Sequence, residues 1–257
     1  MSYTYELLDN ARQIYVAVDE VHRFGMDAVL LADFAKLKTT DTCLDLCCGN
    51  GVVPMILWRN WHPKKLYGAE IHKEAYELSR LSAQKTGLTD EFTPMLCDLK
   101  DLDTIRKTIE FGSLDAVTCN PPYKAAGRGI TRAIDAATIA RHEVFCNVED
   151  VCRTAGKLLR FGGGFYLCQR PERLADVMEA MRINGIEPKR LQFVSKNAKT
   201  PPWLFLIEGR RGGKPFLQVL PPMFAYKDDG SFTDEMMEVY RLPESQAPDA
   251  HPFGKSE

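Results

Sequence analysis

The residues best suited to chemistry in this chain are three acids and an amide, each placed at the end of a short apolar run. Asp45 lies in residues 43–48, Glu70 closes residues 65–70, Asp98 ends residues 92–98, and Asn120 follows residues 114–119. Carboxylates accept from ammonium, hydroxyl or amine groups and repel phosphate. Asn120-Pro121-Pro122-Tyr123 offers something different. Two prolines cannot continue a strand ladder, so they fix the backbone and leave carbonyls without ladder partners. The amide oxygen and a carbonyl can accept both hydrogens of a planar amine, while the tyrosine ring stacks on its face. Taken alone, the same turn reads equally well as a Pro-Pro end to a core strand with Tyr123 as packing.

The elements that must position these groups alternate. Residues 14–18 read as a short strand, followed by a helix over 28–37 with Asp27 as its N-cap. Residues 43–48 read as a strand that enters Gly49-Asn50-Gly51 and then an apolar helix from Val52. Glycines let the backbone approach a ligand. The dinucleotide fingerprint needs a third glycine where this chain has Pro54, which argues against NAD and suits a first helical turn. Residues 65–70 form the second strand, followed by an amphipathic helix over 73–86 stopped by Gly87. Glu70 falls about 20 residues after the glycine turn, where an acid grips ribose hydroxyls in nucleotide sites of this build. The alternative role for Glu70 is charge complementarity with the following turn. Asp98 reads as an N-cap in isolation and as the third acid of a shared rim in sequence, with a helix over 102–110 after it.

Residues 124–129 read as a small, flexible loop. A long helix is expected from Arg141-His142-Glu143 to about Leu159, closed by Phe161-Gly162-Gly163-Gly164, with His142 positioning the rim rather than serving as a base. Residues 165–169 read as a fifth strand, 172–183 as a helix, and 191–194 and 203–207 as closing strands with at least one antiparallel pair. A short helix is expected over 233–240. The expected fold class is α/β, a doubly wound, mostly parallel seven-stranded sheet with one antiparallel edge strand and a ligand rim at the carboxyl edge. Residues 1–240 are expected to form one domain with a short N-terminal extension, and residues 241–257, rich in Pro and Ser, read as a disordered tail.

Composition excludes several function classes. Hydrophobic residues at 45% and charged residues at 26% are ordinary for a soluble domain, and no apolar stretch spans a bilayer. The N-terminus shows no signal peptide, so a cytoplasmic location is expected. The eight cysteines form no Cys-x-x-Cys pair and mostly lie in apolar runs, which predicts buried thiols and no metal site. A net charge of -2 rules out a bulk polycation, yet between Lys189 and Lys214 seven basic residues face the single acid Glu208. That local excess is the footprint expected for phosphate backbones, or else two solvated hairpin ends. Acid-rich rims suit a nucleoside ligand with a positive centre and no phosphate, and S-adenosylmethionine has those properties.

At this point the chain resembles a known superfamily. Residues 45–51, Glu70, Asp98 and Asn120-Pro121-Pro122-Tyr123 look like the successive motifs of class I S-adenosylmethionine-dependent methyltransferases, with a Rossmann-like fold. The Asn-Pro-Pro-Tyr form is similar to enzymes that methylate amino or amide nitrogens. Arg23-Phe24 with residues 27–32, Ala140-Arg141-His142-Glu143, Leu220-Pro221-Pro222 and residues 230–235 resemble the bacterial tRNA(Val) anticodon-loop adenine N6-methyltransferase family. The resemblance implies that Gly49 and Gly51 admit the cofactor and that Asp45 holds its amino-acid end. It further implies that Glu70 binds its ribose, Asp98 and Leu99 its adenine, and that Asp27 lies near its methionine portion. Asn120, which the resemblance also places against the cofactor, and Pro121 would accept from the target amine beside Pro122, with Tyr123 stacking on the base. The implied partner is tRNA, met by Lys124, Arg128, Arg141, Lys196, Lys199, Arg210 and Arg211, with no membrane and no metal. The competing readings are methylation of a protein glutamine amide or of guanine N2 in ribosomal RNA, and a catalytically inactive S-adenosylmethionine- or RNA-binding protein.

Overall fold

The computed structural model describes residues 2–121 and 147–241. A two-stranded antiparallel hairpin opens the chain, β1 (Thr4–Asp9) with β2 (Ile14–Val18). Only β2 is legible as a strand in sequence, because β1 has no buried residue and owes its conformation to pairing with β2. Helix α1 (Met26–Phe34) follows, then β3 (Thr42–Leu46), α2 (Val52–Trp61), β4 (Lys65–Glu70), α3 (Lys73–Thr86), β5 (Phe92–Leu96) and α4 (Leu102–Arg106). β6 (Leu114–Cys119) delivers Asn120 and Pro121. After residue 146 come α5 (Val148–Leu158), β7 (Leu159–Gln169), a 3-10 turn at Pro171–Arg173, α6 (Leu174–Ile183), β8 (Ile186–Ser195) and β9 (Pro202–Arg211). Two-residue strands β10 (Gln218–Val219) and β11 (Met223–Phe224) both pair with β8, and α7 (Asp234–Tyr240) closes the described chain.

The sheet runs β10-β8-β9-β7-β6-β3-β4-β5. Its seven long strands match the sequence expectation, and all are parallel except β9. That strand lies one place in from the edge region, between β7 and β8, rather than at the margin itself. Both faces of the sheet are covered, and β3 shows how. Cys43 packs with α1 and α2 on one face, while Leu44 and Leu46 pack on the other with Val117, Val151 and Leu167. Strand side chains alternate between faces, so Asp45 shares the face of Cys43, over which α1 and α2 lie. Each fully buried aliphatic here stabilises by about 1.5–3 kcal/mol relative to exposure.

Several local expectations are revised. Gly25, not Asp27, is the N-cap of α1; Asp27 is its second residue. Asp101 caps α4, accepting from the Thr104 N–H at 3.0 Å; α4 starts at Leu102 as expected and ends sooner, at Arg106. Asn147 caps α5 and accepts from the Asp150 N–H at 2.7 Å. The start expected at Arg141 lies outside the described residues, as do Pro122, Tyr123, Lys124, Arg128, His142 and residues 242–257. The three glycines 162–164 do not close the helix. α5 ends at Leu158, and the glycines lie inside β7, where the register against β6 shifts between Leu114 and Ala116. Gly162 takes φ 77°, the left-handed region that glycine enters at no steric cost.

The N-terminal hairpin is tied to α3. The Ala17 N–H donates to Ser82 Oγ at 2.9 Å and the Tyr15 N–H to Thr86 Oγ1 at 3.0 Å. At the other end Arg59, buried in α2, donates to the Val239 carbonyl at 3.1 Å, and Phe232 stacks on Tyr240 with centroids 5.3 Å apart. Seven described cysteines are free thiols, six of them buried. Among the described residues no helix is long and apolar enough to cross a membrane.

Candidate active site

The carboxyl ends of β3, β4 and β6 meet at one rim, as expected for an open parallel sheet. Beyond β3 the chain makes a tight path, with Cys47 at φ 59°, Gly49 at φ 57° and Gly51 at φ 86°. Gly51 is hemmed in. A Cβ there would lie 3.2 Å from Ser79 and 3.3 Å from the Phe92 ring, so glycine is needed for helix packing as well as for conformation. At Gly49 a Cβ would meet nothing within 4 Å, so this backbone faces open space that a ligand can approach.

Glu70 holds this loop. Its Oε2 accepts from the Gly49 N–H at 2.8 Å and its Oε1 from the His72 N–H at 2.8 Å. Each carboxylate oxygen keeps a further lone pair, so the acid can brace the loop and still accept from a hydroxyl. Asp45 is deeper, 2% exposed, one strand away. Thr118 Oγ1 donates to its Oδ1 at 2.7 Å, and Cys48 also bonds to it. Burial pushes its carboxyl up to about 8, opposed by the Thr118 hydrogen bond and reinforced by the charge on Glu70. A cationic ligand group would relieve that cost by favouring the ionised form.

Asn120 is joined to Asp27 across 93 residues of sequence. Its Nδ2 donates to Asp27 Oδ2 at 3.1 Å, and its Oδ1 accepts from the Cys168 thiol at 3.1 Å. Pro121 beside it is buried. Asp98 lies past β5, with Oδ1 accepting from the Lys100 N–H at 2.9 Å. Leu99 is buried, and its carbonyl accepts from Thr154 Oγ1 at 2.9 Å, fixing this turn to α5.

Four contributors were not read from sequence. Asn50 is 4% exposed, donates to the His22 carbonyl at 3.3 Å and accepts from Ser82 Oγ at 2.9 Å through its own carbonyl. His22 is held in turn by Asp19, 3.1 Å away. Cys168 and Thr118 act across strands. Thr118 pairs in register with Asp45, so strand alignment would have revealed it.

The basic segment does not form one surface. β8 runs parallel to the main sheet and β9 returns, so Lys196 and Lys199, in the turn between them, lie on the rim side. Arg210 is level with Gly164 and Glu187, three residues below the Leu167–Ile207 pair that aligns with Cys119 at the end of β6. Arg210 and Arg211 therefore lie towards the opposite end. Glu208, 3% exposed, pairs with Arg190 and, at 2.6 Å, with Arg210. Lys199 pairs with Asp228 at 3.2 Å, both side chains largely exposed.

The donor set fits S-adenosylmethionine: carboxylates for an ammonium group and ribose hydroxyls, and open space over Gly49. Comparison with known proteins agrees. One relative, the tRNA1(Val) (adenine(37)-N6)-methyltransferase of Porphyromonas gingivalis, is 28% identical over 160 residues, 60% of this chain and 61% of that relative's length. The protein of the same name from Histophilus somni is 24% identical over 205 residues, 79% of this chain and 84% of the relative. Among solved structures, a predicted O-methyltransferase from Agrobacterium tumefaciens superposes with a TM-score of 0.69 at 18% identity, covering 88% of this chain and all of its own. M. jannaschii TYW2, solved in complex with AdoMet, superposes with 0.54 at 12% identity, covering 81% of this chain and 86% of its own. At those identities the structural likeness establishes the fold. The methyltransferase small domain matches residues 25–170, more than half of the sequence and the stretch that carries every rim residue. The chain belongs to the methyltransferase small domain family.

Proposed function

We propose that this protein methylates the exocyclic amine of adenine in tRNA, forming N6-methyladenine at position 37 in the anticodon loop of tRNA(Val). The observation that carries this reading is the Asn120 side chain, held at the end of β6 on the same rim as Asp45 and Glu70. Similarity along 79% of the chain to a tRNA1(Val) methyltransferase supports the choice of substrate.

Asp45 receives the ammonium group of the cofactor, Glu70 its ribose hydroxyls, and Asp98 with the Leu99 backbone its adenine. Gly49 and Gly51 bring backbone close to it, and Asp27 stands beside its methionine portion. When bound, S-adenosylmethionine supplies a methyl group on a sulfonium centre. The amine nitrogen of adenine is a poor nucleophile because its lone pair is delocalised into the ring. Asn120 Oδ1 and the Pro121 carbonyl accept its two hydrogens and favour the pyramidal nitrogen as the bond forms. Pro122 keeps that carbonyl fixed, and Tyr123 stacks on the base. The base leaves its stack to enter the pocket, and an anticodon loop lowers the cost of that step. Lys196 and Lys199, with Lys124, Arg128 and Arg141, meet the phosphate backbone.

Asn120→Ala tests the assignment. Removing one preorganised partner of the reacting group lowers transfer to a tRNA(Val) transcript by about 100- to 1,000-fold, while cofactor affinity measured by calorimetry stays within about threefold. Retained turnover with lost cofactor binding would contradict the proposal.

A further inference from the structure

Asn120 is gripped at both ends of its amide. The two partners are chemically opposite, and that makes the grip directional. The Asp27 carboxylate can only accept, and it lies 3.1 Å from Nδ2. The Cys168 thiol is placed to donate, 3.1 Å from Oδ1. Cys168 is fully buried, and burial, with the charges of Asp27 and Asp45 nearby, pushes its thiol far above the ordinary range, so it keeps its proton. An amide flipped by half a turn would set its NH2 against an S–H donor and its oxygen against a carboxylate. The oxygen–carboxylate contact would then be repulsive and the NH2 would meet only a weakly accepting sulfur, whereas in the observed orientation both contacts are satisfied.

The fold makes room for this arrangement. Asp27 is the second residue of α1, and its carboxylate folds back over Gly25, where an added Cβ would sit 2.6 Å from Oδ1. Cys168 follows Leu167, the β7 residue paired with Cys119 immediately before Asn120. Three elements distant in sequence, α1, β6 and β7, therefore converge on one side chain. The orientation matters chemically. An amide oxygen accepts two hydrogen bonds, and the thiol uses one lone pair, which leaves the second for a substrate N–H.

We propose that Asp27 and Cys168 are positioning residues that lock the Asn120 amide with its oxygen available to the target amine. This rests on the reading above that Asn120 accepts from that amine. It gives Asp27 a role towards Asn120 besides its place near the cofactor, and it gives Cys168 a role where none was assigned.

Two measurements test it. In the unliganded protein, the Asn120 side-chain amide protons are identified in a nitrogen-correlated proton spectrum by their loss in Asn120→Ala. They should exchange with solvent at least tenfold faster in Cys168→Val than in the parent. Val fills the thiol's volume without a donor, and Cys168→Ala, which leaves space instead, serves as the second variant should Val fail to fold. Equal exchange rates in parent and folded variant overturn the lock, and this readout needs no substrate. In turnover on a tRNA(Val) transcript, Cys168→Val lowers kcat about tenfold with KM for tRNA and cofactor affinity unchanged. Cys168→Ser, which keeps a donor, recovers most of that loss. A merely structural cysteine would lower the melting temperature and leave kcat per folded molecule unmoved, which also overturns the proposal. If Asn120→Ala itself retains turnover, the reading of Asn120 as acceptor fails. If Asn120→Ala is inactive while both Cys168 variants turn over normally, only the positioning role fails.

Discussion

Asp45 offers a quantitative test, because its environment fixes both the sign and the size of a pH effect. Its carboxyl is buried and pushed up to about 8, so at pH 6 only about 1% is ionised, and about a quarter at pH 7.5. If the ionised form receives the cofactor ammonium, binding below pH 7.5 releases a proton. Affinity should then rise roughly 15- to 20-fold between pH 6 and pH 7.5, the gain in ionised Asp45 being partly offset as an α-amino group begins to lose its proton. Calorimetric titration with S-adenosylmethionine at four pH values measures this directly. Asp45→Asn should bind weakly and without that slope. The same shift fixes stability. The folded value lies above the ordinary carboxylate value, so the contribution is fully present below about pH 4 and is lost as pH rises towards about 8. The unliganded parent should therefore lose melting temperature from pH 5 to pH 8 relative to Asp45→Asn. A flat affinity profile in the parent, or parallel melting profiles, would refute this assignment of charge.

Two further outcomes follow from packing and from strand direction. Gly68→Ala places a Cβ 2.5 Å from Cys48 Sγ and 3.1 Å from the Phe92 ring, both buried, and should cost about 1–3 kcal/mol; thermal melting checks it, and cofactor affinity falls with it because Cys48 adjoins Gly49. Lys196→Ala/Lys199→Ala should weaken tRNA binding several-fold and reduce its salt dependence, whereas Arg211→Ala, towards the other end of β9, should change it little. Equal effects in a filter-binding salt series would contradict the placement.

How far the sequence reveals this molecule depends on whether a feature is local. β4 and α3 were read to their final residues because burial pattern, strand ending and the Gly87 stop all lie within 23 residues of one another. β1 was not, since its residues, none of them buried, are held by pairing with β2 and not by their own pattern. The glycines 162–164 carry a local breaker signal that alignment with β6 overrides. Asp27 illustrates a chemical ambiguity. An acid at the second helical position looks, in sequence, like an acid one or two places earlier at the cap. Only the distant Asn120 amide shows which it is. The rim acids were legible because each lies at or just beyond the carboxyl end of its own strand, whereas Thr118 and Cys168 depend on register between strands whose paired residues lie far apart in sequence. The basic residues of 189–214 could be counted, but a count carries no strand direction, and β9 sends Arg210 and Arg211 away from Lys196 and Lys199.

The central claim is that the amine held by Asn120 belongs to adenine 37 of tRNA(Val). Nucleoside mass spectrometry with fragment mapping, applied to tRNA from cells with and without this protein, tests it most directly. The account predicts N6-methyladenine at that position only when the protein is present and its Asn120 intact. Unchanged tRNA, with the methyl group found instead on a glutamine of a release factor, would contradict it.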